Sequence, residues 1–137
     1  MNSQTVIPEG VIALLKNAEK CRIAVVGASN NREKYGNIIL RNLAAKGYTV
    51  VPVHPTEKQV EGLTCYASVN EIPGGVDLVD FVIPPGATLK ALDSLQGRVS
   101  AVWFQDGSFD DAVLEHARPL FPLVVSHACI MVVTNFL

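Results

Sequence analysis

Short apolar runs of strand length alternate along this chain with stretches whose apolar residues recur at helical spacing. Pro8 to Lys20 reads as a leading helix, with Val11, Ile12, Leu15 and Ala18 on one side and Pro8 suited to a first turn. Arg22 to Val26 is rich in β-branched residues and reads as a strand buried on both faces. A polar loop from Ala28 to Lys34 leads to a helix over Tyr35 to Lys46, with Gly47 as its stop, and then to a strand over Tyr48 to Val53. Val60 to Tyr66 reads as a short extended segment, and Ser68-Val69-Asn70-Glu71 has the spacing of a capping box that starts a helical turn. A strand over Leu78 to Ile83 is broken by Pro84-Pro85-Gly86 and followed by a helix over Thr88 to Leu95. Ser100 to Phe104 is the next strand, and Phe109 to Leu120 a helix opened by Asp110 and Asp111. Leu123 to Val125 is the last clear strand, and the apolar tail from Ile130 to Val133 fits either kind of element.

This alternation predicts a parallel sheet of about five strands, doubly wound, with helices on both faces. In such sheets ligands bind at the carboxyl ends of the strands, near the point where the strand order reverses. The candidate ends are Gly27-Ala28-Ser29, Val53-His54-Pro55, Val82-Ile83-Pro84, Gln105-Asp106-Gly107 and Ser126 to Cys129.

Composition narrows the classes of function. The 137 residues are expected to form a single domain over 1–137, and 49% hydrophobic residues suffice for a real core. Eleven basic and 13 acidic residues leave a net charge of -2, which offers no broad basic face for nucleic acid and no polybasic membrane patch. Met1 to Gly10 lacks the charged start and apolar run of a signal peptide, and the apolar runs are too short to span a membrane. Cys21, Cys65 and Cys129 form no CxxC pair, so free thiols in a cytoplasmic protein are expected.

The Gly27-Ala28-Ser29 loop joins a buried strand to a helix, the arrangement in which backbone amides and a helix N-terminus hold phosphate, and Lys34 adds a cation. Its spacing is neither G-x-G-x-x-G nor a P-loop, and a tight turn without ligand stays an open alternative. Dinucleotide sites carry an acid about 20 residues further on, to hold a ribose diol. Here that place is Val53-His54-Pro55, with Glu57 beyond the proline and beside Lys58, which suits adenine and a phosphorylated ribose better and speaks against NAD more than against NADP. Val82, Ile83 and Pro84 would form an apolar wall, or simply end a strand. Gln105, Asp106 and Gly107 could present polar groups to a ligand, or only a turn and a helix cap. His127 and Cys129, if extended, would point to one face. Two ligands do not make a zinc site, and no third residue completes a nucleophilic set, so a buried, unreactive Cys129 is preferred. Trp103 is assigned to the core and His116 to the surface.

With these positions marked, the chain resembles the stand-alone CoA-binding proteins, whose Rossmann-like α/β domain is similar to the N-terminal domain of the succinyl-CoA synthetase α subunit. The matching segments are Ala24 to Ser29, Lys34 to Asn37, Gly47 to Pro55, Gly62 to Tyr66, Val76 to Asp80, Ala101 to Gly107 and Ala128 to Met131, in family order. The resemblance implies coenzyme A along the strand ends. Gly27, Ala28 and Ser29 would meet the pyrophosphate with help from Lys34, Val53 and Pro55 would border the adenosine, and Lys58 would approach the ribose phosphate. Val82, Ile83 and Pro84 would flank the nucleotide or the pantetheine arm, and Gln105, Gly107 and Cys129 would lie toward the thiol. His54 stands where the family usually has Asn, and the tail after Met131 lacks an acid often found there.

The function expected is therefore a non-catalytic binding module for CoA or an acyl-CoA, with a homo-oligomer or a protein partner left open. Two alternatives remain: an accessory subunit of an acyl-CoA ligase or transferase, and an NAD(P)-dependent oxidoreductase or redox sensor. The synthetase reaction would need a phosphorylated histidine and a nucleotide-binding partner beyond the segment read here. A mixed disulfide between CoA and Cys129 is a redox variant of the first reading.

Overall fold

A computed structural model describes residues 6–137; Met1 to Thr5, on which part of the signal-peptide reading rests, lie outside the described residues. The elements in chain order are α1 (Glu9–Lys16), β1 (Arg22–Val26), α2 (Tyr35–Ala45), β2 (Thr49–Val53), β3 (Gln59–Val60), β4 (Leu63–Thr64), β5 (Leu78–Phe81), α3 (Pro85–Leu92), β6 (Ala101–Phe104), α4 (Asp111–Ala117), β7 (Leu123–Val125) and α5 (Ile130–Thr134). Five strands form one sheet in the order β2-β1-β5-β6-β7, and every neighbouring pair is parallel. The chain leaves β1 for one side, then crosses it to continue on the other. The strand order therefore reverses at β1 and β5.

Alternation along the strands builds two cores. Ile23, Val25, Leu78, Ala101 and Trp103 face one way, under Val11 and Leu15 of α1, Ile39, Leu40 and Leu43 of α2 and Ile130 of α5. Ala24, Val79, Phe81, Val102 and Phe104 face the other, under Leu92 of α3 and Val113, Leu114 and Ala117 of α4. Burial on both faces is why these strands read as continuous apolar runs. Pro52 sits in β2, the edge strand, and faces away from β1, where its missing N–H costs the five-stranded sheet no bond and its carbonyl accepts from the Tyr66 N–H.

The element bounds differ from the sequence reading in instructive places. The leading helix stops at Lys16, because Asn17 leaves helical geometry at φ -107 and ψ 70, and a 3-10 turn follows over Ala18–Lys20. α3 begins at Pro85, three residues earlier than expected: Pro85 ends no helix here but occupies its first position, where its fixed φ suits the start. Asp110 caps α4 as expected, accepting from the Val113 N–H at 2.9 Å, and the helix itself starts at Asp111. The segment after Val60 is a hairpin and not one extended run, since Glu61 at φ 51 and Gly62 turn β3 back onto β4. The ambiguous tail is α5. Among the described residues, no helix is long and apolar enough to cross a membrane.

Candidate functional site

Where the strand order reverses, a cavity of about 700 Å³ opens at the carboxyl ends of β1, β2 and β5. One wall is the loop after β1, with Val26, Gly27, Ser29 and Lys34. A second is the end of β2, with Val53, His54 and Pro55. The third is the end of β5 running into α3, with Phe81, Val82, Ile83 and Pro84. The three strand ends singled out from the sequence thus meet around one space.

Two glycines make the loop wall possible. Gly27 has φ 108, and a Cβ there would lie 3.0 Å from both the Val82 carbonyl oxygen and Ile83 Cγ2. Gly36, in the first turn of α2, lets the helix rest on the loop, because a Cβ there would overlap the Gly27 carbonyl. This is the close helix–strand approach that dinucleotide loops also achieve with glycine. Asn37, fully buried, then ties the loop down: its Nδ2 donates to the Ser29 carbonyl at 2.7 Å and to Glu61 at 3.1 Å, and its Oδ1 accepts from Arg41 Nε at 2.7 Å. Asn30 Nδ2 adds bonds to Glu57 and to the Gln59 carbonyl, and Arg32 pairs with Glu61 at 3.3 Å. The β3–β4 hairpin is therefore bracketed to the loop, which also holds Glu61 in its unusual backbone conformation.

The charge of the lining is one-sided. Among the described residues around the cavity there is one cation, Lys34, and no carboxylate. Lys34 is the N-cap of the 11-residue α2, where helix polarity also favours an anion. Ser29, His54, Ser68, Asn70 and Ser94 supply neutral polar groups, and the rest of the lining is apolar. That combination suits a phosphorylated ligand with an apolar or stacking portion, and lacks the acid that holds a ribose diol.

Of the expected site residues, Gly27, Ser29, Lys34, Val53, His54, Pro55, Val82, Ile83 and Pro84 line the cavity. Ala28 does not: its side chain is fully buried in the core beneath α2, leaving its backbone to shape the loop. Lys58 is exposed and outside the lining. Gln105, Gly107 and Cys129 lie outside it as well. Gln105 is buried and donates from Nε2 to Asp80 Oδ1 at 2.8 Å, so its amide is spent inside the sheet edge. Asp80 is wholly buried, Oδ2 has no hydrogen-bond partner, and burial holds its carboxyl well above the usual carboxylate range, a rise the Gln105 bond opposes.

Cys129 corrects the reading of a buried thiol: it is half-buried at the start of α5 and shares a hydrogen bond with the Tyr35 hydroxyl, 2.9 Å away. His127 has φ 63, so the two residues do not share the face of an extended strand. The most strongly buried thiol is Cys21, pushed up to about 12 chiefly by burial and further by Asp77. Trp103 is core, its Nε1 donating to the Ala128 carbonyl at 2.8 Å, and His116 is a surface residue paired with Asp93 at 2.7 Å.

The cavity has a fourth wall that sequence reasoning missed: Ala67 to Asn70 after the hairpin, with Ala87, Ala91, Ser94 and Leu95 on and after α3. Small residues at 87, 91 and 94 recur at helical spacing and were a legible signal of a face left open. The position of Ala67 to Asn70 was not legible locally, because it depends on Tyr66 pairing beside Val53 at the end of β2.

The sequence profile of the CoA binding domain matches residues 21–135, nearly all of the sheet and its helices. The chain belongs to the CoA-binding domain family. Within the curated proteins, this CoA-binding domain is 35% identical over 97 residues to an ADP-forming acetate–CoA ligase I of Archaeoglobus fulgidus, covering 70% of this chain and 14% of the ligase. It is 48% identical over 63 residues to the α subunit of an ADP-forming acetate–CoA ligase II of Pyrococcus furiosus, covering 45% of this chain and 14% of that subunit. The CoA-binding domain thus spans about one-seventh of the length of these ligase chains. In contrast, a solved hypothetical protein of Pyrococcus horikoshii, 28% identical, matches with a TM-score of 0.88 over 100% of this chain and 98% of its own. The five-stranded Rossmann-like architecture is shared with it.

Proposed function

We propose that the chain holds coenzyme A or an acyl-CoA in the cavity at the β1–β5 reversal and works as a carrier, sensor or regulatory module. The observation that carries this reading is the lining: a glycine loop and Lys34 at a helix start, with no carboxylate among the described residues around a mostly apolar cavity. The pyrophosphate would lie against Gly27, Ser29 and Lys34, where backbone donors and the α2 N-terminus favour an anion. The adenosine would lie between Val53–Pro55 and the wall from Ala67 to Asn70, and the pantetheine arm would run past Ile83 and Pro84. Membership of the CoA-binding domain family supports the same ligand. Three free cysteines suit a reducing cytoplasm.

Native mass spectrometry and thermal shift with CoA, acetyl-CoA, NAD and NADP test the reading. Stabilisation by CoA or its thioester is expected, by about 2.7 kcal/mol at a hundredfold excess over Kd. Stabilisation by a nicotinamide dinucleotide alone would replace this reading with the oxidoreductase alternative. The likeness to a ligase α subunit favours a second reading, in which the chain serves as an accessory subunit of an acyl-CoA ligase. ATP- or ADP-dependent acyl-CoA turnover restored by a co-expressed nucleotide-binding subunit is the result that reading requires.

A further inference from the structure

We infer that His54 is a specificity-determining residue, whose ring is fixed in one tautomer by its own turn and gives the ligand a hydrogen-bond donor where diol-binding sites place an acceptor. The inference rests on the proposal that the cavity holds CoA, and it names the group of CoA that this edge selects: the phosphate on the ribose.

The argument starts from the two nitrogens of the ring. Nδ1 lies 3.2 Å from the Thr56 N–H and 3.3 Å from the Glu57 N–H. Backbone N–H groups only donate, so Nδ1 must accept, and it does so without a proton. The Thr56 hydroxyl, 3.3 Å away, can donate to the same atom. Nδ1 thus plays the part that an Asn side-chain oxygen plays in turns of this kind, bonding backbone N–H groups two and three residues on. A neutral imidazole without a proton on Nδ1 carries it on Nε2. Nε2–H is then the remaining polar atom of a half-buried side chain that lines the cavity.

The position gives that donor its meaning. It closes β2, next to the β1 loop, the place from which doubly wound sheets reach the adenosine ribose. A ribose diol asks for an acceptor there, and neither His54 nor any described residue around the cavity provides a carboxylate. A phosphate monoester offers acceptor oxygens. A ring N–H bonds a charged phosphate oxygen more strongly than the neutral oxygen of a free 3′-hydroxyl, and so favours CoA over a nucleotide that lacks this phosphate. An Asn at this turn would keep an acceptor in the place of Nδ1 but reach no further, so it would leave nothing where Nε2–H stands.

The decisive comparison is the affinity ratio of CoA to 3′-dephospho-CoA, by isothermal titration, in the wild-type chain and in His54→Asn. The ratio is expected to fall about tenfold in the variant, the loss of one hydrogen bond to a charged group, with the melting temperature held because the turn keeps its acceptor. Nitrogen-15 spectra of the wild-type ring at pH 8 are expected to show the proton on Nε2. An unchanged ratio, or a proton on Nδ1, overturns the inference while leaving CoA binding intact. If the wild-type chain binds neither nucleotide, the functional reading falls and this inference falls with it.

Discussion

The carboxyl edge of the sheet has two halves built from the same kinds of residue and put to opposite use. Around β1, β2 and β5 the polar side chains of the edge line an open space, and Lys34 stands at a helix start above it. Around β6 and β7 several polar side chains bond one another or the backbone, while Asp106 and His127 stay exposed. Gln105 is spent on Asp80, Trp103 on the Ala128 carbonyl, and Tyr35 on Cys129. The difference teaches that a strand end is a potential site only while its polar atoms are not satisfied by neighbouring strands. The reversal of strand order supplies the gap that keeps them free, because β1 and β5 lead to helices on opposite faces of the sheet.

Removing the close approach that builds the open half should have the largest effect. Gly36→Ala places a methyl group against the Gly27 carbonyl, backbone against backbone, with no flexible side chain to give way. A loss of about 3 kcal/mol is expected in urea unfolding, with CoA binding abolished because the loop must shift. Normal stability and affinity in this variant would show that the loop wall tolerates a different geometry.

The closed half should answer to pH and not to ligand. Burial raises the Asp80 carboxyl, so the folded state keeps its proton where the unfolded chain, with an ordinary Asp near 3.9, has lost it. The sign follows: the contribution is full below about pH 4 and is lost as pH rises through the raised folded-state value. The slope reaches about 1.4 kcal/mol per pH unit within that window. Asp80→Asn removes this slope, so the stability curves of variant and wild type should converge or cross as pH rises from 4 to about 8, with CoA affinity unchanged. Parallel curves would mean that Asp80 ionises freely in the fold.

Tyr35→Phe tests the same half with the smallest expected effect. It deletes only the hydroxyl bonded to Cys129, at an exposed phenol, and should cost less than about 1 kcal/mol. CoA affinity should hold. A tenfold loss of affinity would extend the site across the edge to Cys129, where the family resemblance places the thiol end.

Most of the fold was legible because burial on both faces writes itself into the strands as unbroken apolar runs, such as Ile23 to Val26 and Leu78 to Val79. The helix around Pro85 was harder. A proline reads as a breaker unless the chain direction places it at the first helical position. The β3–β4 turn was hidden because Glu61 is an unusual residue for left-handed backbone, and Asn37 and Arg32 hold it from elsewhere in the chain. Most of the candidate site was visible as three strand ends, yet Gln105 shows the limit. Its residue type and position suited a ligand contact, and only the neighbouring strand revealed that Asp80 had taken its amide.

What the sequence determined by itself was the alternation of strands and helices, the glycine turn that joins the first strand to the second helix, and Val53-His54-Pro55 as the end of the second strand. These follow from local patterns, since periodicity and turn chemistry act over a few residues. The tertiary structure decided which strand ends face a shared space and which satisfy one another. It also decided that Ala67 to Asn70 closes the cavity and that Asp80 takes the Gln105 amide. Hydrogen bonds between residues distant in the chain settle such choices, because a buried polar atom takes whichever partner the packing brings within reach.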